Sequence, residues 1–311
     1  MELGKPNLDA FAEAIHDLAR HDSSVLVVTS DSRGSGKLGP FGKEFPKQII
    51  EVGIAEQNLV GVAAGLASTG KTVFAVSPAC FLTARALEQI KNDVCYSDNP
   101  VKVVGISGGV SYGALGSTHH SLHDYAVLRA INNIIVVAPA DNFETREAVI
   151  AGAKLKSPVY LRFGKKPMPH LPGVGQQFEL GKARRVREGS DVVFVASGET
   201  VVEAFQAAEL LAQENISAGV LSVHTIKPLD TSAILDVAST AHAVVTVEEH
   251  SVNGGLGEAC ASLLLQHGSR PRFKIVGVPD EYTVTGSQTD IFRYYGISPS
   301  GLLETVRTLL S

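Results

Sequence analysis

The chain has 311 residues, 44% of them hydrophobic, and this length predicts about two domains of ordinary size. Its formal net charge is −5 and its 27 lysines and arginines form no long basic run, so we expect neither a nucleic-acid partner nor a membrane partner. The scattered Cys80, Cys95 and Cys260 form no CxxC pair, and no apolar run suits a signal peptide or a membrane span, so we expect a cytoplasmic protein.

Helices and strands alternate along the first half of the chain. Apolar residues at helical spacing predict a first helix over 8–19. Strands are predicted at 24–29, 48–52, 72–76, 101–106, 134–138 and 159–163, with helices from about 55, at 79–96, at 124–131 and at 143–155. Such alternation is typical of a parallel sheet that is covered by helices on both faces.

The segment 165–175 is rich in proline and glycine, which indicates an extended linker and a domain boundary. The alternation then resumes. Strands are predicted at 192–196, 218–223, 244–247 and 273–278, and helices at 201–213, 232–238, 256–266 and 302–310. We therefore predict an α/β fold with two doubly wound domains, residues 1–166 and 179–311, joined by a linker over 167–178.

One stretch, GIAEQNLVGVAAG at 53–65, places an acid between a glycine turn and an apolar helix. Gly53 follows a strand and permits a tight turn, so Glu56 lies in the first turn of the helix that starts near Ala55. Two interpretations are open from the residues alone. Glu56 either complements the positive end of the helix dipole or serves as a functional acid at the mouth of a buried helix.

Three other polar patterns have competing interpretations. The loop SDSRGSG at 30–36 follows the first strand, where parallel sheets place ligand groups, but it is equally compatible with a solvated turn. His119 and His120 are adjacent and lack a third acidic or thiol ligand nearby, which disfavours a metal site. The sequence GLGEAC at 255–260 departs from a dinucleotide fingerprint at Cys260, which favours a plain helix start.

The stretch around Glu56 resembles the pyrimidine-binding domain of transketolases, and the second half of the chain resembles their C-terminal domain. The resemblance implies that Glu56 is catalytic and bonds a ring nitrogen of the aminopyrimidine of thiamine diphosphate. It also implies that Phe81, within the segment 74–86, stacks on that ring and that Arg85 belongs to the cofactor side of the site. From the residues alone, Phe81 could instead be an ordinary core residue.

The resemblance also implies a substrate side. Thr118-His119-His120 matches the family's THQ motif, which makes His119 a catalytic residue that bonds substrate oxygens near the reactive carbon; a histidine can exchange a proton near neutral pH. Lys165 falls where the family has a phosphate-binding arginine, and a lysine binds phosphate without the bidentate fork. Ser32, in the loop 30–36, is expected to bind substrate as well.

Three further positions depart from the family pattern. Pro78 replaces an aromatic residue beside the pyrimidine. Leu115 replaces an acid that reads a sugar hydroxyl, and Ser107 replaces a second substrate histidine. The cofactor side therefore matches the family better than the sugar side does, which predicts an unusual ketose as substrate.

The chain contains no GDG sequence followed some thirty residues later by Asn, which in this family holds the metal and the diphosphate. The resemblance therefore implies the C-terminal subunit of a split transketolase, with Mg²⁺ (or Ca²⁺) held by an N-terminal subunit and no metal held by this chain. A heterotetramer is expected, and the reaction would transfer a two-carbon ketol unit from a ketose, expected to be phosphorylated, to an aldose.

Two alternatives remain from the sequence. The first is the β subunit of a 2-oxoacid dehydrogenase E1 component, which usually lacks the IAEQN run and the THQ pattern. The second is a non-catalytic α/β partner subunit, against which the presence of both Glu56 and His119 argues.

Overall fold

The computed structural model describes residues 1–173 and 177–311. Residues 174–176 belong to the predicted linker, so that part of the prediction lies outside the described residues. None of the described helices is long and apolar enough to cross a membrane.

Helices and strands alternate through the first half of the chain, as the sequence predicts. The strands are β1 (Leu3–Pro6), β2 (Val25–Thr29), β3 (Ile49–Glu51), β4 (Thr72–Pro78), β5 (Lys102–Ile106), β6 (Ile135–Val137), β7 (Val159–Phe163) and β8 (Pro167–Pro169). The helices are α1 (Asn7–His21), α2 (Gly39–Glu44), α3 (Glu56–Ser68), α4 (Ala79–Arg85), α5 (Leu87–Gln89), α6 (Asp124–Arg129) and α7 (Asn142–Lys154).

The second half repeats the alternation with a different set of elements. Its strands are β9 (Arg184–Arg187), β10 (Val192–Ala196), β11 (Ala218–Ser222), β12 (Thr225–Lys227), β13 (Ala243–Ser251) and β14 (Arg272–Val278). Its helices are α8 (Thr200–Gln213), α9 (Thr231–Thr240), α10 (Leu256–Gln266), α11 (Gln288–Tyr294) and α12 (Pro299–Leu310).

Two sheets with helices on both faces result, and the predicted α/β fold class is confirmed. The first sheet has the strand order β12-β6-β7-β5-β4-β2-β3 and the second has the order β14-β13-β10-β11-β9. Only the edge strands β12 and β9 run antiparallel to their neighbours in these sheets, as far as the described residues show. Apolar residues of α1 and α7 pack on one face of the first sheet, and those of α3 and α6 pack on the other.

The two halves are more closely interwoven than the sequence predicts. Strand β12 comes from the second half yet pairs with β6 at the edge of the first sheet, with Thr225 opposite Val137. Residues 167–169, predicted as the start of an extended linker, form β8 instead and pair with β1 near the N-terminus. Met168 is buried there, because this pairing holds it against the second-half core.

The helix predicted over 79–96 is divided in the structure. Helix α4 ends at Arg85, Ala86 leaves the helical conformation with φ −103° and ψ 18°, and after α5 the chain continues as a π-helical segment, Ile90–Tyr96. The prediction of one continuous helix was wrong because the wider turn still buries Ile90 and Val94, so the apolar spacing does not reveal it.

Candidate active site

Glu56 lies at the start of α3, at the carboxyl-end side of the first sheet. Gly53 adopts φ +72°, a left-handed conformation that glycine accommodates without strain, and this turn directs the chain from β3 into the helix. The Glu56 residue is only 4% exposed, although it lines an open cavity of about 530 Å³ together with residues 54–58 and Arg85. A buried acid at the edge of a cavity is suited to bind a polar ligand group.

Arg85 is the partner of this carboxylate. Its Nη1 lies 3.1 Å from both Glu56 oxygens, and its guanidinium carbon lies 4.5 Å from the centre of the Phe81 ring. The spacing of four residues along α4 brings Phe81 and Arg85 to the same helix face. The Arg85 side chain is 52% exposed, so Glu56 is paired with a cation that remains accessible from the cavity.

His119 lies next to Phe81, as the resemblance predicts for one common site. The two rings meet edge-to-face with centres 5.3 Å apart. Thr118 Oγ1 lies 2.9 Å from Nδ1 of His119, which orients the ring and leaves Nε2 for another partner. The structure therefore brings Glu56, Arg85, Phe81 and His119 together.

Lys165 lies on the far side of His119 from Glu56. Its Nζ lies 4.2 Å from the centre of the Tyr112 ring, and Tyr112 in turn meets His119 edge-to-face at 5.5 Å. Burial lowers the pKa of Lys165, and the nearby Lys37 ammonium lowers it further. Two lysines therefore face this end of the site, and together they are suited to an anionic group.

Ser32 is less directly connected to this line of residues. It is buried, and its hydroxyl donates a hydrogen bond to the Ser30 carbonyl oxygen at 2.9 Å. Its role at the substrate thus stays a prediction. Leu115 is 55% exposed at the mouth of the glycine-rich loop, which places an apolar side chain where the family pattern has an acid.

The glycine-rich loop, residues 107–120, is held by the second half of the chain. His120 is buried, and its two ring nitrogens bond to Thr283 Oγ1 at 2.6 Å and to the Gly113 carbonyl oxygen at 3.0 Å. Ser117 Oγ also bonds to Thr283 Oγ1 at 2.9 Å. The second histidine, for which the sequence predicts no role, therefore fixes the loop that carries His119.

A network of buried charged groups lies behind the loop. Arg162 Nε donates to Asp124 Oδ2 at 2.9 Å, and its Nη2 donates to the Glu249 carbonyl oxygen at 2.7 Å. The Glu249 carboxylate accepts a hydrogen bond from the Val110 backbone N–H at 2.8 Å. The network thus joins the first sheet, the second domain and the loop of the site.

Sequence reasoning missed several of these residues. Tyr112 was detectable as the aromatic residue within a glycine-rich loop, and Arg162 as a cation within an apolar strand. Thr283 and Lys37 had no such signal, since each contributes only through neighbours distant in sequence.

Comparison with known proteins agrees with this geometry. The transketolase pyrimidine-binding domain matches residues 6–169, and the transketolase C-terminal domain matches residues 181–302. The chain belongs to the transketolase family. Individual relatives narrow the comparison to split members of that family.

One of the two subunits of an apulose-4-phosphate transketolase from Phocaeicola vulgatus is 46% identical over 95% of this chain and 95% of its own length. The 6-deoxy-6-sulfo-D-fructose transketolase subunit SqwH of Clostridium sp. is 36% identical over 93% of this chain and 90% of its own. A solved structure described as a split gene transketolase, inactive beta4 tetramer, superposes with a TM-score of 0.88 at 35% identity and 99% coverage of both chains.

These transketolase relatives match this chain over nearly their whole length. The chain is therefore a subunit of a split transketolase, a transferase that works as part of a multi-subunit enzyme, and this prediction is confirmed. The alternative of a 2-oxoacid dehydrogenase E1 β subunit is not favoured by any of these similarities.

Proposed function

We propose that this subunit supplies the pyrimidine side of a thiamine diphosphate site and the substrate pocket for transfer of a two-carbon ketol unit from a ketose phosphate to an aldose. The observation that carries the proposal is the buried Glu56 carboxylate at an open cavity, joined by direct side-chain contacts to His119 and onward to Lys165.

The residues at the cavity fit the aminopyrimidine of the cofactor. Both Glu56 oxygens accept from an Arg85 N–H group in this structure, which shows that the carboxylate can accept a hydrogen bond from the cavity side. Arg85 also covers one face of Phe81, but its side chain is half exposed and can move when a ring binds. When bound, thiamine diphosphate supplies the nucleophilic carbon that accepts the ketol unit.

Each side chain of the site then has a distinct task. Glu56 holds a proton at its carboxylate against a ring nitrogen, a task that its burial favours because water is excluded. His119 donates to or accepts from the substrate oxygens near the reactive carbon through Nε2. Lys165, with Lys37 nearby, binds the terminal anionic group of the sugar.

The metal and the diphosphate are proposed to lie on a partner subunit. The described part of the chain contains no group of three or more His, Cys, Asp or Glu residues that could hold a metal ion. A divalent ion requires several hard oxygen ligands. We therefore assign Mg²⁺ (or Ca²⁺) to an N-terminal subunit with the GDG motif, in a heterotetramer with two-fold symmetry.

The proposed location is the reducing cytoplasm, where the buried thiols of Cys80, Cys95 and Cys260 would remain free. The proposed domain division is 1–166 and 179–311. The donor that we propose first is apulose 4-phosphate, because two relatives, 46% and 38% identical, are named for that ketose.

The test is a ketol-transfer assay of the chain reconstituted with its N-terminal subunit, thiamine diphosphate and Mg²⁺. Apulose 4-phosphate, xylulose 5-phosphate and 6-deoxy-6-sulfofructose are compared as donors, with each subunit alone as the control. We expect turnover only in the complex and only with the cofactor. Absence of ketol transfer from every ketose tested would contradict the proposal.

A further inference from the structure

The side chains of the proposed site form a continuous line of contacts from the cofactor end to the anion end. Tyr112 is the one member of this line for which neither the sequence nor the family resemblance provides a role. One side of its ring meets His119 edge-to-face, with centres 5.5 Å apart and an angle of 70° between the planes. The Lys165 ammonium lies over the same ring at 4.2 Å. Tyr112 therefore separates the reactive end of the pocket from its cationic end.

The hydroxyl end of Tyr112 meets a second unusual feature. Ser107 is fully buried, has φ +55°, and its Oγ makes no hydrogen bond of ordinary geometry to the described residues. Burial raises the pKa of the Tyr112 hydroxyl, and the neighbouring Ser107 hydroxyl opposes this by a smaller amount. The two hydroxyls are therefore close together, and both are neutral at physiological pH.

A buried hydroxyl without a partner is unfavourable, and a ligand that supplies the missing hydrogen bond gains affinity. Ser107 occupies the position at which the family pattern has a substrate histidine. A sugar hydroxyl is the matching ligand group, because it can donate to one of these oxygens and accept from the other.

We propose that Tyr112 is the specificity-determining residue of this site, on the premise that the proposed ketol transfer is correct. Its ring fixes the separation between His119 and Lys165, and so the length of ketose that spans them. Its hydroxyl, together with Ser107, binds one hydroxyl of the sugar chain. The substrate class is a polyhydroxylated ketose with a terminal phosphate or sulfonate.

Two substitutions separate the ring from the hydroxyl. Y112F keeps the ring and removes the hydroxyl, whereas Y112L removes both. The exposed Tyr294, on α11 of the second domain, provides the control Y294L. Y112M, which fills more of the ring volume, takes the place of Y112L if that variant does not fold.

The first measurement uses the reconstituted enzyme with phosphorylated and unphosphorylated forms of one ketose and with its monodeoxy analogues. We expect Y112L to lower the preference for the phosphorylated form in kcat/KM about tenfold, as loss of a cation–π contact predicts. Y112F should keep that preference within about twofold while losing the discrimination against one deoxy analogue. Y294L should behave as the wild type in both respects.

The second measurement does not depend on turnover. The lysines of the full chain are ¹³C-dimethylated and titrated with inorganic phosphate. We expect the Lys165 signal to shift in the wild type and in Y112F, but not in Y112L, with K165A used to identify the signal.

The outcomes distinguish the two proposals. An inactive wild-type complex contradicts the ketol transfer, while the phosphate titration still tests Tyr112. An active wild type whose phosphate preference and Lys165 signal survive in Y112L overturns the role of Tyr112. Equal losses in Y112F and Y112L would overturn it too, because the ring alone should retain Lys165.

Discussion

At the scale of single residues, the site combines one buried acid with several accessible partners. Glu56 is almost fully buried, whereas Arg85 and His119 can be reached from the cavity. This difference suits an acid that must hold a proton away from water while the neighbouring groups exchange ligands. Leu115 and Lys165 mark the positions at which the substrate side departs from the family pattern.

Replacing Glu56 with glutamine tests the acid directly. The amide keeps the shape and one acceptor oxygen for Arg85 but cannot manage a shared proton, so we expect kcat to fall by roughly 10²- to 10⁴-fold. The melting temperature should stay close to that of the wild type. The exposed Glu179→Gln serves as the control, and activity of Glu56→Gln within a few-fold of the wild type would contradict the assignment.

Restoring an acid at position 115 tests the substrate side. We expect Leu115→Asp to change the relative kcat/KM of two ketoses by roughly tenfold or more, because a carboxylate there can accept from a sugar hydroxyl. Cofactor affinity, measured by calorimetry on the complex, should change little. Ala114→Asp places the same charge at the exposed neighbouring position. An unchanged ketose profile would mean that residue 115 does not face the sugar.

At the scale of elements, the glycine-rich loop is stabilised from outside its own domain. Adding a Cβ at Gly113 would bring it within 2.6 Å of the Gly286 carbonyl oxygen, so the loop and the segment 279–287 approach each other closely at this point. His120 and Thr283 form the polar contact between the same two segments. The position of His119 therefore depends on the second domain.

Removing this contact should loosen the loop. His120→Ala leaves the Thr283 hydroxyl and the Gly113 carbonyl without their partner, which costs about 1 to 3 kcal/mol of local stability. We expect faster amide hydrogen exchange over residues 107–120 and a lower kcat. Thr283→Val should have a similar effect, and the double variant should be little worse than either single one. Fully additive effects, or normal exchange in His120→Ala with exposed His267→Ala as the control, would show that the contact does not hold the loop.

At the scale of the whole molecule, the second domain uses its usual ligand edge for packing against the first. The Gly198 backbone N–H donates to the Ala138 carbonyl at 3.0 Å, across the carboxyl ends of the second sheet. At the start of α10, the Glu248 carboxylate accepts from the backbone N–H groups of Leu256 and Gly257, both at 2.8 Å. The position that would hold a nucleotide phosphate is thus filled by a side chain of the protein itself.

This interface makes the stability of the protein depend on pH. Burial, followed by the charge of Glu249, raises the pKa of Glu199 to about 8, while Gln288, Lys166 and Arg162 oppose the shift. The folded state then binds a proton that the unfolded state has released between about pH 4.5 and 8, so the free energy of unfolding falls as the pH rises through that range.

Glu199→Gln should remove this contribution. We expect urea unfolding of the wild type between pH 5 and 8 to show a steeper loss of stability than that of the variant. Glu209→Gln, at an exposed position of the same helix α8, should keep the wild-type slope. Identical slopes for the wild type and Glu199→Gln would show that Glu199 does not take up a proton on folding.

The sequence by itself determined the alternation of strands and helices, the turn at Gly53 and the place of Glu56 at the start of α3. These features depend on residues that are neighbours in the chain, where apolar periodicity and glycine act locally. Resemblance to a family then identified Phe81, Arg85, His119 and Lys165, and the structure shows that they share one site.

Only the tertiary structure decided what surrounds those residues. The bond between His120 and Thr283 joins positions 163 residues apart, and β12 leaves its own domain to complete the first sheet. Tyr112 contacts Lys165 only because β7 ends beside the glycine-rich loop, close to the end of β5. Local patterns do not encode such contacts, because they form only when both sheets pack together and bring distant segments to the same edge.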